Sequence, residues 1–356
     1  MTVWMFPGQG SQVKGMGKGL FNNFADLTQT ANDILGYSIE ELCLNDPDKN
    51  LGVTSYTQPA LFVVNALTWR RYREGNPELP TALLGHSLGE YNALEAAGVI
   101  GFADGLRLVQ KRGALMAEAP AGGMAAIIGP GEAEIRTTLA DNGLNAIDIS
   151  NFNTPSQTIV SGLKEDIARA AEVFQSDSVG FITLRTGGAF HSRYMGSAHK
   201  EFTEFLTNFS FAAPEIPVIS NLFATPYEAD AVAKTLAGQI IETVQWVDSI
   251  RYLLALGEEN FEELGPGSVL TRLVDEIKLS IPPVQVDATQ DTNSNSSGLI
   301  NDWNKSHGIG TEVLVEGYQG PLTTRSEAMM LFGHRAAVYL EGYNGYFELT
   351  HIRPVS

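Results

Sequence analysis

The stretch at residues 82–100 limits the possible folds most, because it calls for a buried strand, a sharp turn and a helix in direct succession. An apolar run is followed by Gly85 and Gly89 on either side of Ser87, and then by the helical sequence "EYNALEAAGVI". In a G-x-S-x-G elbow the glycines relieve crowding, so the hydroxyl projects and backbone N–H groups face a developing oxyanion. The pattern also fits a serine that only caps a helix in a βα loop. These five residues alone leave both interpretations open.

The composition indicates a globular protein. The 356 residues are 44% hydrophobic and 18% charged, enough for a large core in two or three folding units. No apolar run approaches the length that crosses a bilayer, and the start "MTVWMFPGQGS" lacks the basic and apolar segments of a signal peptide. We therefore expect no membrane partner. The single cysteine, Cys43, rules out an internal disulfide, which fits a reducing cytoplasm.

The net charge argues against a nucleic-acid-binding protein, and the spacing of histidines and cysteines argues against a metal site. A formal net charge of −18 argues against nucleic acid as a partner, because binding phosphates needs a basic surface. No histidine or cysteine cluster has metal-ligand spacing, so no metal site is expected.

The order of predicted elements indicates an α/β protein with a second unit inserted. Strands and helices alternate from the opening "TVWMFPGQGSQ" onward, which is typical of an α/β core. Residues 122–190 follow the order β-α-β-β-α-β, which is ferredoxin-like. We predict a large α/β-hydrolase-like domain with a parallel sheet, formed by residues 1–121 and 191–280, and a ferredoxin-like subdomain at 122–190.

The composition changes after residue 280. Residues 281–310 contain two early prolines and many polar residues, with little to bury, and are predicted to be a linker. Residues 311–356 carry the related segments "EGYQG" and "EGYNG" at positions 316 and 341, which predict strand-turn units of a small β-rich module. If this module only docks a partner, its removal should leave the chemistry of the larger domain intact.

Nucleophilic catalysis by Ser87 would need a base, a group that orients the base, and oxyanion donors. His191 is the best candidate base, since it lies where the chain returns from the insert to the larger domain and must pass near a cleft. A hydrogen-bonded loop histidine without catalytic function is the alternative. The remaining histidines are less suitable by position: His86, His199, His307, His334 and His351.

Seven short motifs occur in order along residues 1–280: "FPGQGSQ" at 6–12, "TQPAL" at 57–61, "GHSLGEY" at 85–91, "KRGALM" at 111–116, "NFNTPSQ" at 151–157, "GAFHS" at 188–192 and "VQW" at 244–246. Together they resemble the malonyl-CoA:acyl-carrier-protein transacylases. Seven ordered motifs are far more specific than one elbow. Among the branches of this family, the chain is most similar to the free-standing acyltransferases that serve polyketide synthases lacking built-in acyltransferase domains.

The resemblance implies a two-step reaction and roles for particular residues. Ser87 would attack malonyl-CoA, and the malonyl ester would pass to the phosphopantetheine thiol of an acyl carrier protein, in polyketide or fatty acid biosynthesis, with no bound cofactor. His191 would act as general base and then as general acid, oriented by a backbone carbonyl near Gln245. The N–H groups of Gln9 and Leu88 would form the oxyanion hole.

The resemblance also implies three substrate contacts. Arg112 matches the family arginine that binds the malonyl carboxylate, whereas outside this motif a surface helix arginine would be the default interpretation. Phe190 stands where the family fills space beside the substrate α-carbon, which favours malonyl over methylmalonyl. Asn153 would line the cleft, although an asparagine in a hairpin turn fits its position equally well.

Two alternatives remain open at this point. A hydrolase of the same fold would use Ser87 and His191 to clear acyl groups from stalled carrier proteins. Arg112 argues against it, because uncharged acyl chains would leave a buried cation unpaired. A catalytically inactive module that binds carrier proteins is the second alternative, and it leaves the joint presence of nucleophile, base and arginine unexplained.

Overall fold

The structure is a computed structural model that describes residues 2–175, 178–280, 292–315, 320–331, 335–341 and 346–355. Its strands are β1 (Thr2–Phe6), β2 (Ala82–Gly85), β3 (Gly122–Ile128), β4 (Asp148–Thr154), β5 (Gln157–Leu163), β6 (Gly180–Thr183), β7 (Val218–Ile219), β8 (Asn260–Glu263), β9 (Glu312–Val315), β10 (Leu322–Thr323), β11 (Met329–Leu331), β12 (Arg335–Tyr339), β13 (Tyr346–Glu348) and β14 (Ile352–Pro354). Its α-helices are α1 (Leu20–Asn23), α2 (Ala25–Leu35), α3 (Ile39–Leu44), α4 (Thr54–Gly75), α5 (Gly89–Ala96), α6 (Phe102–Glu118), α7 (Glu132–Asp141), α8 (Lys164–Val173), α9 (Gly196–Leu206), α10 (Val232–Gln239), α11 (Trp246–Ala255), α12 (Val269–Ser280) and α13 (Thr292–Ser306).

A parallel sheet forms the centre of the larger domain, in the order β7-β2-β1-β8. Side chains alternate across it: Trp4 and Phe6 join one buried apolar cluster, whereas Val3 and Met5 join another. Apolar side chains on both faces are what a parallel sheet covered by helices requires. Strands β1 and β2 run side by side and end at the same edge, which places the loop after Phe6 next to Ser87. The predicted α/β class with a parallel sheet is confirmed.

An antiparallel sheet in the order β4-β5-β3-β6 forms a second unit. Its elements follow the chain order β3-α7-β4-β5-α8-β6, and helices α7 and α8 bury their apolar residues in a cluster of their own. Strand β4 also hydrogen-bonds the segment before α11, since Phe152 N–H donates to the Val244 carbonyl and Val244 N–H donates to that of Ser150. The second unit therefore shares backbone contacts with the larger domain beside the predicted cleft.

The C-terminal module contains α13 and two three-stranded antiparallel sheets, β10-β9-β14 and β11-β12-β13. The predicted linker at 281–310 is wrong over 292–306, which form α13. Ile300 and Trp303, three residues apart on one helix face, pack against the module core, and the Asn304 side chain makes two 2.8 Å hydrogen bonds to the backbone of Ala328. Residues 281–291, and most of the segments "EGYQG" and "EGYNG", lie outside the described residues.

In the part of the chain that the structure describes, no helix is long and apolar enough to cross a bilayer. The same residues contain no group of three or more histidine, cysteine, aspartate or glutamate side chains that could hold a metal ion.

Candidate active site

Ser87 lies in a tight turn between β2 and α5, with a backbone φ of 52°. A non-glycine residue reaches this left-handed region only when its surroundings hold it there. A Cβ on Gly85 would lie 1.9 Å from the Gly89 carbonyl carbon, and a Cβ on Gly89 would lie 2.0 Å from the Phe6 carbonyl oxygen. The two glycines are thus required by backbone packing, and the strand-elbow-helix prediction is confirmed.

His191 lies against Ser87, with its Nε2 2.8 Å from the Ser87 Oγ. Its Nδ1 lies 2.7 Å from the backbone carbonyl of Gln239, which can only accept, so Nδ1 carries the proton and Nε2 is free to accept one from the serine. Histidine and serine, 104 residues apart in sequence, thus meet in the geometry of a nucleophile and its base.

The predicted histidine-orienting residue was wrong. The carbonyl of Gln245 accepts hydrogen bonds from the N–H and hydroxyl of Ser249 instead. Gln239 is the last residue of α10, and the final carbonyls of a helix have no partner within it. The end of α10 therefore supplies the free carbonyl, which the position of the "VQW" motif could not indicate.

The environment of His191 keeps its imidazole neutral. Burial, and after it the nearby charge of Arg112, lower the pKa of His191 from its ordinary 6.5 to about 3. A neutral imidazole with Nε2 facing a hydroxyl is the form that accepts a proton. His86 has a different environment, since its Nε2 lies 2.9 Å from Asn153 Oδ1 and its ring packs on Trp246.

Arg112 is completely buried on α6 and points at the serine. Its Nη2 lies 3.0 Å from Ser87 Oγ and donates at 2.9 Å to Gln239 Oε1, while its Nη1 donates at 2.7 Å to Gln58 Oε1. Arg112 takes part in none of the ion pairs formed between described residues. A buried cation held by neutral amides is available to a carboxylate that enters the site. The surface-arginine interpretation is excluded.

The loop after β1 meets the elbow backbone to backbone. A Cβ on Gly8 would lie 2.3 Å from the His86 carbonyl oxygen and 3.6 Å from the Leu88 nitrogen. Within the described residues, neither the N–H of Gln9 nor that of Leu88 donates a hydrogen bond. Both groups are therefore available to an oxyanion, and their assignment to the oxyanion hole stays a prediction.

Phe190 and Asn153 lie beside the histidines. Phe190 precedes His191 and is 5% exposed, and its ring packs against Gly188. Asn153 lies on β4, where its side chain hydrogen-bonds His86 and Gln157; within the described part of the chain it makes no hydrogen bond to Ser87 or His191. Their expected contacts with substrate stay predictions.

A buried network behind the serine was missed from the sequence. The Glu90 carboxylate accepts hydrogen bonds from Asn221 N–H and the Tyr227 hydroxyl, each at 2.8 Å, and from Gln239 Nε2. Asn221 Oδ1 in turn accepts from the N–H of Ser87 at 2.7 Å. Two sequence signals were available: an acidic residue inside the small and apolar stretch after the elbow, and an asparagine just beyond β7, at the edge where a parallel sheet carries its site.

The sequence model of the family described as "Acyl transferase domain" matches residues 3–306. The chain belongs to this acyltransferase family. The acyltransferase is 52% identical over 280 residues to the polyketide biosynthesis malonyl CoA-acyl carrier protein transacylase BaeC of Bacillus velezensis, covering 78% of this chain and 97% of that protein. The resemblance seen in the seven motifs is confirmed.

Solved structures support the same relationship. A malonyl CoA-acyl carrier protein transacylase from Burkholderia pseudomallei superposes with a TM-score of 0.78 at 52% identity, covering 80% of the acyltransferase and 99% of that chain. A malonyl-transacylase in complex with its type II polyketide synthase acyl-carrier protein superposes with a TM-score of 0.73 at 33% identity, covering 78% of the acyltransferase and 92% of that chain. The family match ends at residue 306, so strands β9 to β14 lie beyond it.

Proposed function

We propose that this acyltransferase moves a malonyl group from malonyl-CoA to the phosphopantetheine thiol of an acyl carrier protein, through an ester on Ser87. The observation that carries the proposal is the buried guanidinium of Arg112, 3.0 Å from the Ser87 hydroxyl and held by neutral side chains. A malonyl thioester brings a carboxylate two carbons from the carbonyl under attack. A cation beside the nucleophile is where that carboxylate would bind.

In the first half-reaction, His191 Nε2 takes the Ser87 proton while Oγ attacks the thioester carbonyl. The N–H groups of Gln9 and Leu88 would stabilise the oxyanion. The carbon–sulfur bond then breaks, and the histidine proton goes to the CoA thiolate.

In the second half-reaction, His191 takes the proton of the carrier thiol, whose sulfur attacks the serine ester. The ester bond breaks, and the same proton returns to Ser87. The carbonyl of Gln239 would hold the imidazole through both steps, because its bond to Nδ1 strengthens when the ring becomes charged.

Selection of the acyl group would depend on Arg112 and Phe190. Arg112 favours an acyl chain that ends in a carboxylate, and the ring of Phe190 leaves little room for an α-methyl branch. Asn153 would contribute to the cleft wall through His86. This arrangement favours malonyl over methylmalonyl.

The proposal extends to the partner protein, the cellular compartment and the domain organisation. The carrier would be that of a polyketide synthase served in trans, or of fatty acid synthesis, and the enzyme would work in the cytoplasm with no resident cofactor. The names of the Bacillus and Burkholderia relatives support the reaction. We also propose an α/β-hydrolase-like larger domain, residues 1–121 and 191–280, and a ferredoxin-like subdomain, residues 122–190, which the sheet orders support.

Intact mass spectrometry tests the proposal directly. The protein is mixed with malonyl-CoA, and a phosphopantetheinylated carrier protein is then added. We expect a malonyl adduct that disappears in Ser87→Ala and that moves from the wild-type enzyme to the carrier. If no adduct forms, and acylated carrier proteins are instead stripped to free acid, the enzyme is a hydrolase of the same fold.

A further inference from the structure

Among the described residues, the C-terminal module contacts the larger domain at Glu242 and at Ala224. Arg325, between β10 and β11, donates from Nη2 to Oε1 of Glu242 at 3.0 Å. Ala337 on β12 packs against Ala224, both completely buried, with Met329 beside them. Strands β9 to β14 lie beyond the family match, so these contacts are an addition to the acyltransferase fold.

Both contacts fall on segments that hold the Ser87–His191 pair. Ala224 lies three residues after Asn221, which accepts from the Ser87 N–H, and a tight turn joins them because Ala224 N–H donates to the Ser220 carbonyl at 2.8 Å. Glu242 lies three residues after Gln239, whose carbonyl holds His191.

The two segments are also joined to each other and to the base. The N–H of Gln245 donates to the carbonyl of Asn221 at 2.8 Å. Glu242 N–H donates at 3.0 Å to the Gly238 carbonyl. The backbone of Glu242 also interacts with the His191 imidazole, where it opposes the burial that lowers the pKa of that ring. A shift at Glu242 would therefore move the carbonyl that orients the base.

Arg325 is held in place on its own side of the contact. Its Nε donates to the Leu340 carbonyl at 3.2 Å, and its guanidinium lies over the Tyr339 ring at 4.9 Å. A guanidinium fixed in this way loses little side-chain entropy when it pairs. Glu242 is 9% exposed, and burial raises the pKa of its carboxyl while the charge of Arg325 counteracts part of that rise. Without Arg325, a buried carboxylate would be left unpaired beside the segment that holds His191.

We propose that the C-terminal module positions the acyl-transfer site, with Arg325 as a positioning residue that acts through Glu242 and the Gln239 carbonyl on His191. The inference rests on Ser87 and His191 as nucleophile and base, and it does not require malonyl-CoA to be the donor. The module is then part of the working enzyme, rather than only a surface for partners.

The test measures how fast a fluorophosphonate probe labels Ser87 in the full-length protein, with the inactivation constant and the probe's binding constant determined separately. We expect Arg325→Ala to lower the inactivation constant about tenfold with little change in probe binding, since a misplaced base slows chemistry more than binding. Arg353→Ala is the matched control, because Arg353 is exposed on β14 of the same module. Because the probe carries no malonyl group, the comparison tests positioning separately from the choice of acyl donor.

Two further variants complete the test. Arg325→Lys keeps the charge and should recover most of the labelling rate. Glu242→Gln keeps an acceptor oxygen but removes the ionic attraction, and it should slow labelling about threefold, so it serves if Arg325→Ala does not fold. Wild-type labelling rates in both Arg325→Ala and Glu242→Gln, or equal losses in Arg325→Ala and Arg353→Ala, would overturn the proposal.

Discussion

Arg112 occupies a position that folding alone does not account for. It is completely buried, it hydrogen-bonds two glutamines and a serine, its guanidinium lies over the Tyr91 ring at 5.5 Å, and burial lowers the pKa of that guanidinium. Burying a cation without a salt-bridge partner costs free energy that burying a well-packed apolar residue would not. This cost is understandable if a substrate carboxylate completes the arrangement during each catalytic cycle.

Replacing Arg112 with alanine should therefore distinguish two acyl donors. We expect Arg112→Ala to lower kcat/KM for malonyl-CoA about a hundredfold, because a charge-assisted hydrogen bond is worth about 2 to 3 kcal/mol. The kcat/KM for acetyl-CoA, which has no carboxylate to bind, should change about threefold or less. Arg107→Ala, on an exposed turn of the same helix, is the control. Equal losses on both donors would remove the carboxylate-binding role from Arg112.

At the scale of elements, helix α5 and its first-turn residue Glu90 organise the support of the site. Asn221 is held after β7, and Gln239 ends α10; both bond to Glu90. Through one carboxylate, helix α5 thus contacts two segments that lie 131 and 149 residues further along the chain. Both backbone polar groups of Ser87 are hydrogen-bonded. Its N–H donates to Asn221 Oδ1, and its carbonyl accepts from Gln239 Nε2 at 2.8 Å.

The carboxyl of Glu90 should make stability depend on pH. Burial raises the pKa of Glu90 from its ordinary 4.5 to about 7, against the opposing effect of the Asn221, Tyr227 and Gln239 hydrogen bonds and of the Arg112 charge. The folded protein holds this proton more tightly than the unfolded chain does. The resulting stabilisation is fully present below about pH 4.5 and is lost as the pH rises through about 7, by about 3 kcal/mol.

Unfolding by guanidinium chloride at pH 5 and pH 8 measures this contribution. The unfolding free energy of the wild type should fall, relative to that of Glu90→Gln, by about 2 to 3 kcal/mol between the two pH values, because the glutamine cannot ionise. Glu134→Gln, exposed on α7, should show the same pH dependence as the wild type. Parallel curves for wild type and Glu90→Gln would show that Glu90 keeps one protonation state across this range.

At the scale of the whole molecule, the C-terminal module has a buried core of its own and also rests on the larger domain. From the sequence, its removal was expected to leave acyl transfer intact if it only docked a partner. The contacts at Glu242 and Ala224 change that expectation, because they reach the supports of the serine and the histidine.

A chain ending at residue 280 tests the module as a unit. We expect it to fold, since the 280 aligned residues cover 97% of the Bacillus relative. Its Ser87 labelling rate should fall about tenfold, as for Arg325→Ala, and its Tm should drop by roughly 2 to 4 °C for each kcal/mol of lost contacts. A fragment that labels at the wild-type rate would make the module a docking unit.

Much of this arrangement could be predicted from the sequence, because it depends on residues close together along the chain. The elbow around Ser87 follows from two glycines and an apolar run, and the order β-α-β-β-α-β follows from local periodicity. His191 and Arg112 were predicted because their motifs carry them, and the structure brings both to Ser87.

The tertiary structure decided which groups meet across long stretches of chain. The carbonyl that holds His191 comes from Gln239 rather than Gln245, because it depends on where α10 ends against the site. Glu90 gathers residues more than 130 positions away, and residues 292–306 became a helix because a β-sheet offered their apolar face a partner. Local pattern determines what the backbone does over a few residues, whereas a hydrogen bond between distant residues depends on how whole elements pack.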